Sequence, residues 1–112
     1  MGTSSYFYVL HCRDGTLYGG YTTDLTRRLD EHNTGRGAKY TRPASRRPLK
    51  MIYAEEYGTK SDAMKAEAAF KKQTRRKKEV FLIEKGVRYP FSLCETTVLQ
   101  EMEERNEKPK KL

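Results

Sequence analysis

No stretch of this chain is apolar for long enough to cross a membrane. The longest apolar runs, Tyr6 to Leu10 and Val80 to Ile83, fall far short of the roughly 20 residues a spanning helix needs. No charged segment followed by an apolar stretch opens the chain, so no secretory signal is expected. Cysteine is scarce. Cys12 and Cys94 stand alone, without a Cys-x-x-Cys pair or histidines at zinc spacing. Two isolated cysteines argue against a disulfide framework and fit a reducing compartment, so a cytoplasmic location is expected. No internal repeat is present. With 112 residues, 36% of them hydrophobic, the chain can build one modest core and therefore one domain.

Acid is missing where base is concentrated. Arg36, Lys39, Arg42, Arg46, Arg47 and Lys50 follow one another with no carboxylate between them, and a second run holds Lys71, Lys72, Arg75, Arg76, Lys77 and Lys78. The net charge is +8. Residues 1–50 carry nine basic side chains against four acidic, residues 51–88 ten against six, and residues 89–112 four against five. The excess thus lies wholly before the tail. A phosphate polymer is the natural counter-surface for it. The alternative is a solvated charged face.

The order of elements reads as β-β-α-β-α-α. Tyr6 to Cys12 is rich in aromatic and branched residues and ends at Arg13-Asp14-Gly15, a turn signal, so Thr16 to Thr22 is expected to return as the second strand of a hairpin. Thr22 or Thr23 can cap the helix that follows, which carries Leu25 and Leu29 one turn apart and ends near 33–37. Residues 35–48 hold two glycines, two prolines and five basic residues, and read as a surface loop. Leu49 to Tyr53 is expected to form a third strand. Thr59 or Ser61 starts a second helix to about Gln73, and Thr74 can cap a third that stops at Gly86. The alternative is that the second helix continues through the basic run. This is an α/β domain over residues 1–88, with a small, mostly antiparallel three-stranded sheet flanked by helices. Residues 89–112 form a tail in which Val98, Leu99 and Met102 share helical spacing; it reads either as a docked or dimerising helix or as partly disordered.

Four groups of residues carry possible chemistry. Arg28 and His32 are four apart and so share one helix face; one suits bidentate phosphate contact and the other moves a proton near neutral pH. An ordinary exposed pair is the alternative. Arg27, next in the chain, points about 100° away. Glu67 falls between Ala63, Met64 and Phe70 on the second helix, where a carboxylate is costly unless paired or metal-bound. Mg²⁺ is commonly held by one carboxylate with waters and substrate phosphate; a rim position or an ion pair is the alternative. Tyr8 and Tyr18 lie on the paired strands, and a phenol becomes a useful base only if its pKa is lowered, whereas most tyrosines are structural. Gly19 and Gly20 weaken the second strand and mark a bulge or a close approach.

Together these residues resemble the GIY-YIG nuclease domain. Tyr6-Phe7-Tyr8 stands at the first motif and Tyr18-Gly19-Gly20 matches Tyr-x-Gly at the second, with Tyr8 and Tyr18 ten apart. The run Thr22 to Asn33 looks like the family's first helix and Ala66-Glu67 like its metal-binding position. The resemblance covers about residues 4–85 and is closest to the small stand-alone bacterial branch. It implies that Glu67 holds one divalent cation, Mg²⁺ or Mn²⁺. It further implies that Tyr8 accepts the proton of an attacking water, its pKa lowered by the metal and nearby cations. Arg28 then stabilises charge on the transition state, Tyr18 orients phosphate or water, and His32 supports proton transfer. Gly20 matches the glycine that lets the strand approach the site.

The expectation is therefore a metal-dependent endonuclease acting on DNA in repair or recombination, with no small-molecule cofactor and no membrane partner. The 26 residues after Gly86 contain no zinc-finger or helix-turn-helix pattern, so selectivity is expected to follow DNA structure rather than sequence. Arg27, Arg36, Lys39, Arg42, Arg46, Arg47, Lys71, Lys72, Arg75 and Arg76 are the expected backbone contacts. The rival reading is a binding module that keeps the fold without turnover; a further one is an adaptor that works through residues 95–107.

Overall fold

The computed structural model describes residues 4–96. Its centre is strand β1, Ser5–His11, which pairs antiparallel on one side with β2, Leu17–Thr22, and on the other with β3, Lys50–Tyr57. The sheet order is β2-β1-β3, and the sheet is wholly antiparallel. Helix α1 spans Leu25–Asn33, α2 Lys60–Lys71 and α3 Arg75–Glu84. The order β-β-α-β-α-α is the expected one. Among the described residues no helix is long and apolar enough to cross a membrane.

Because β1 is central, it is buried on both faces, and its side chains alternate between two cores. Tyr6, Tyr8, Leu10 and Cys12 point to one face, with Leu25, Leu49 and Met51. Phe7 and Val9 point to the other, with Ile52, Tyr53, Phe70, Leu82 and Phe91. Phe7 packs at 5.4 Å from Phe70 and 6.0 Å from Tyr53, centroid to centroid. Each such fully buried side chain contributes about 1.5–3 kcal/mol through burial. A bulge interrupts the alternation on β3: Leu10 pairs with Met51 but Val9 with Tyr53. The extra residue, Ile52, joins Tyr53 in the second core.

Three helix starts carry side-chain caps. Asp24, rather than Thr22 or Thr23, caps α1 by accepting from the Arg27 amide at 3.0 Å. Thr22 remains in β2, and its hydroxyl accepts from the Asp24 amide. Thr59 caps α2 and Thr74 caps α3. The second helix therefore does not run through the basic cluster. Arg75, Arg76 and Lys77 occupy the first turn of α3, where cations oppose the helix dipole. The Arg75–Glu79 ion pair at 2.9 Å offsets part of that cost.

Two boundaries differ from the sequence reading. β3 runs four residues beyond Tyr53, through Glu55 and Glu56, which an edge strand tolerates because one side faces water. Segment 35–48 is not a plain surface loop. It forms 3-10 turns at Lys39–Thr41 and Ala44–Arg46, and Thr41 is fully buried. Past Gly86, whose φ of +93° suits glycine, Phe91 packs into the second core. Lys50 Nζ donates to the Ser92 and Cys94 carbonyls at 2.9 and 2.8 Å. The helical spacing of Val98, Leu99 and Met102 lies outside the described residues.

Candidate active site

Tyr8 sits opposite Gly20 in the hairpin. A Cβ built on Gly20 would lie 2.3 Å from the Tyr8 hydroxyl and 2.4 Å from Cζ, so only glycine admits the phenol here. The close approach that Gly20 marks is made by Tyr8. Gly19 faces the opposite core, where a Cβ would meet Phe70 at 3.0 Å.

Two of the expected residues converge on this phenol. His32 Nε2 lies 2.8 Å from Tyr8 Oη. Arg28 Nε donates to the same oxygen at 3.3 Å, and its Nη1 donates to Glu31 Oε1 at 2.9 Å. The i, i+4 spacing on α1 brings guanidinium and imidazole to one atom. His32 is not the exposed partner that spacing alone allows: it is fully buried, as is Tyr8. Its Nδ1 lies 2.7 Å from Thr41 Oγ1, a residue the sequence reading left in a loop. Asn33 joins the same framework, exchanging hydrogen bonds with the Leu49 backbone at 3.2 and 2.7 Å.

Burial sets the electrostatics. It pushes the Tyr8 phenol above its ordinary pKa, and the Arg28 hydrogen bond and charge offset this only in part. The expected lowering by nearby cations is thus not achieved by the side chains alone. Desolvation outweighs one partly buried guanidinium. Burial, reinforced by Arg28, pushes His32 down to about 4, with Glu31 opposing. At neutral pH the pair is a phenol and a neutral imidazole.

Tyr18 flanks the cluster. Its ring meets His32 edge-on at 5.3 Å and stacks on Tyr40 at 5.9 Å. The Arg46 guanidinium lies over the Tyr40 ring at 3.9 Å. Lys71 Nζ lies 5.3 Å from the Tyr18 ring and 3.0 Å from Glu67 Oε2. Through Lys71, α2 thus places the Glu67 carboxylate on the Tyr18 side of the cluster, and its charge is the smallest of the influences on the Tyr8 phenol. Its neighbours differ from the apolar stripe expected. Ala63 and Phe70 are buried, but Met64 is 45% exposed, leaving Glu67 at the border with an i, i+4 ion pair. Among the described residues no three His, Cys, Asp or Glu side chains converge. A lone carboxylate suits a hard cation that keeps waters and shares substrate oxygens, and does not suit a metal needing several protein ligands.

The basic residues divide into two groups. Arg27 pairs with Glu31 at 3.8 Å and Arg36 with Asp30 at 3.1 Å. Arg46 pairs with Asp14 at 3.1 Å, and Arg75 also donates to the Gly15 carbonyl at 2.9 Å, so both brace the hairpin turn. Arg47 lies against Gly35. Lys39, Arg42, Lys72 and Arg76 are exposed and pair with no carboxylate among the described residues.

Sheet and cluster define a small α/β domain in which the helix after a tyrosine-glycine hairpin delivers arginine and histidine to a buried phenol. Residues 4–79 match the GIY-YIG catalytic domain, and the chain belongs to that family, a nuclease-type domain. A UPF0213 protein of Enterococcus faecalis is 65% identical over 79 residues, covering 70% of this chain and 90% of its own. One from Streptococcus pneumoniae is 53% identical over 95 residues, covering 85% and 94%. The solution structure of a UPF0213 protein from Bacillus halodurans is similar with a TM-score of 0.53 at 41% identity, covering 80% of this chain and 94% of that one.

Proposed function

We propose that this protein is a divalent-metal-dependent endonuclease that hydrolyses DNA phosphodiester bonds, selecting by DNA structure and serving repair or recombination. The observation that carries the reading is the convergence of His32 Nε2 and Arg28 Nε on Tyr8 Oη. A phenol held between a proton acceptor and a cation can take a proton from water while passing on its own. In concert, the water O–H breaks as its oxygen bonds phosphorus, and the phenol proton moves to His32 Nε2. The bond to the leaving oxygen breaks with its electron pair remaining on that oxygen. Moving both protons together spares Tyr8 the full negative charge that burial resists.

Arg28 places a fixed charge beside the reacting phosphate, held in aim by Glu31. Tyr18, fixed between Tyr40 and His32, walls the site and orients the phosphate. Glu67 would hold Mg²⁺ or Mn²⁺, with waters and phosphate oxygens completing the shell, and the ion would supply Lewis-acid charge at the phosphate. Lys39, Arg42, Lys72 and Arg76 are free to grip the backbone, with Arg27, Arg36, Arg46, Arg47, Lys71 and Arg75 adding to the field.

The test is cleavage of labelled duplex, branched and single-stranded DNA with Mg²⁺ or Mn²⁺, beside Glu67→Ala. Metal-dependent cutting that is lost in Glu67→Ala supports the nuclease. Salt-sensitive binding without cutting on every substrate would replace it with a binding module.

A further inference from the structure

The turn at Lys39–Thr41 inserts a buried hydroxyl behind the imidazole, and the direction of its hydrogen bonds can be worked out. Thr41 Oγ1 lies 3.1 Å from the Ala38 carbonyl and 2.7 Å from His32 Nδ1. The hydroxyl donates to the Ala38 carbonyl, which also accepts from the Thr41 amide at 3.1 Å. Towards His32 the oxygen is then an acceptor, and Nδ1 must carry the proton. A neutral imidazole has one N–H, so Nε2 bears the lone pair and Tyr8 donates to it. Tyr8 Oη in turn accepts from Arg28 Nε.

We infer that Thr41 is a positioning residue that fixes His32 as the Nδ1–H tautomer and so keeps the Tyr8 proton directed at Nε2. This rests on the proposed nuclease mechanism for its catalytic meaning, although the hydrogen-bond order stands apart from it. Without the acceptor, a buried Nδ1–H would be left unpaired, which favours the other tautomer. Nε2–H would then donate to Tyr8, whose oxygen already receives Arg28. The phenol would face two donors with its own proton turned away from any base. Gly37 serves the same arrangement, because a Cβ there would lie 2.5 Å from His32 Nδ1.

The experiment reads the two imidazole nitrogens of His32 by ¹⁵N NMR in the wild type, Thr41→Val and Thr41→Ser near neutral pH. Thermal melts establish that each variant is folded. The wild type and Thr41→Ser are expected to carry the proton on Nδ1, and Thr41→Val to carry it on Nε2. With Mn²⁺ and DNA, Thr41→Val is expected to cut roughly 10- to 100-fold more slowly, up to the lower end of a full general acid–base effect as befits a positioning residue, and Thr41→Ser near the wild-type rate. A wild type protonated on Nε2, or a Thr41→Val that keeps the wild-type tautomer, would overturn the inference. Expected tautomers in a protein that cuts no DNA would uphold the positioning role and sink the nuclease reading alone.

Discussion

The two faces of one strand do different work. From β1, Phe7 and Val9 enter a core in which Phe70, Leu82, Phe91 and Tyr53 meet mainly carbon on carbon. One residue along, Tyr8 enters a core that is just as buried but holds a phenol, an imidazole and a threonine hydroxyl. Each of these three polar groups has a partner: Tyr8 with His32 and Arg28, His32 with Thr41, and Thr41 with the Ala38 carbonyl. The first face can lose a contact and merely weaken. The second holds polar groups whose burial is tolerable only while every bond is made. The difference separates residues that hold the domain together from residues that, in the proposed mechanism, aim a proton.

The comparison can be broken most forcefully from the packing side. Phe70→Ala removes a ring that touches Phe7 and Phe81, and should lower unfolding free energy by about 3–5 kcal/mol in urea titrations. Cleavage per folded molecule should change little. A cleavage loss larger than the stability loss would show that the faces are not separable.

Acid should expose the polar face next. His32 is held at about 4 against an ordinary 6.5, so the unfolded chain binds its proton first. Stability from this group is therefore intact above pH 6.5 and falls as pH drops towards 4. The loss reaches about 3 kcal/mol at the bottom of that window, at about 1.36 kcal/mol per pKa unit. His11, whose pKa burial also lowers, contributes the same slope to any variant. The difference between wild type and His32→Gln in denaturant titrations across this range isolates His32, and parallel curves would refute its neutral burial.

Gly20→Ala tests the seam between strand and phenol. Its methyl would collide with the Tyr8 hydroxyl, so a stability loss of about 1–3 kcal/mol is expected. Cleavage should suffer more than stability, because the phenol is displaced from His32. The smallest effect belongs to the surface. Arg76→Ala should weaken DNA binding a few-fold and reduce the salt-dependence slope by about one, leaving the melting temperature in place.

Much of this arrangement was legible in the chain, for physical reasons that differ by element. The hairpin announced itself through alternation and a turn signal, and the Arg28–His32 pair through one helical turn of spacing. Glu67 stood out because a carboxylate beside Ala63 and Phe70 needs an explanation. Thr41 did not stand out. It lies among Lys39, Tyr40 and Arg42 in a segment with no period, and its burial is decided by a distant imidazole. The cap at Asp24 was missed because two threonines precede it and local chemistry suits all three. Met64 was misplaced because helical spacing names a stripe but not its borders.

The most direct measurement is DNA cleavage by Tyr8→Phe beside the wild type, in Mn²⁺ and with both proteins shown to be folded. Removing one oxygen takes away the atom on which His32 and Arg28 converge. The account predicts a rate reduced by about 10²- to 10⁴-fold with DNA binding retained. A phenylalanine variant that cuts as fast as the wild type would contradict it.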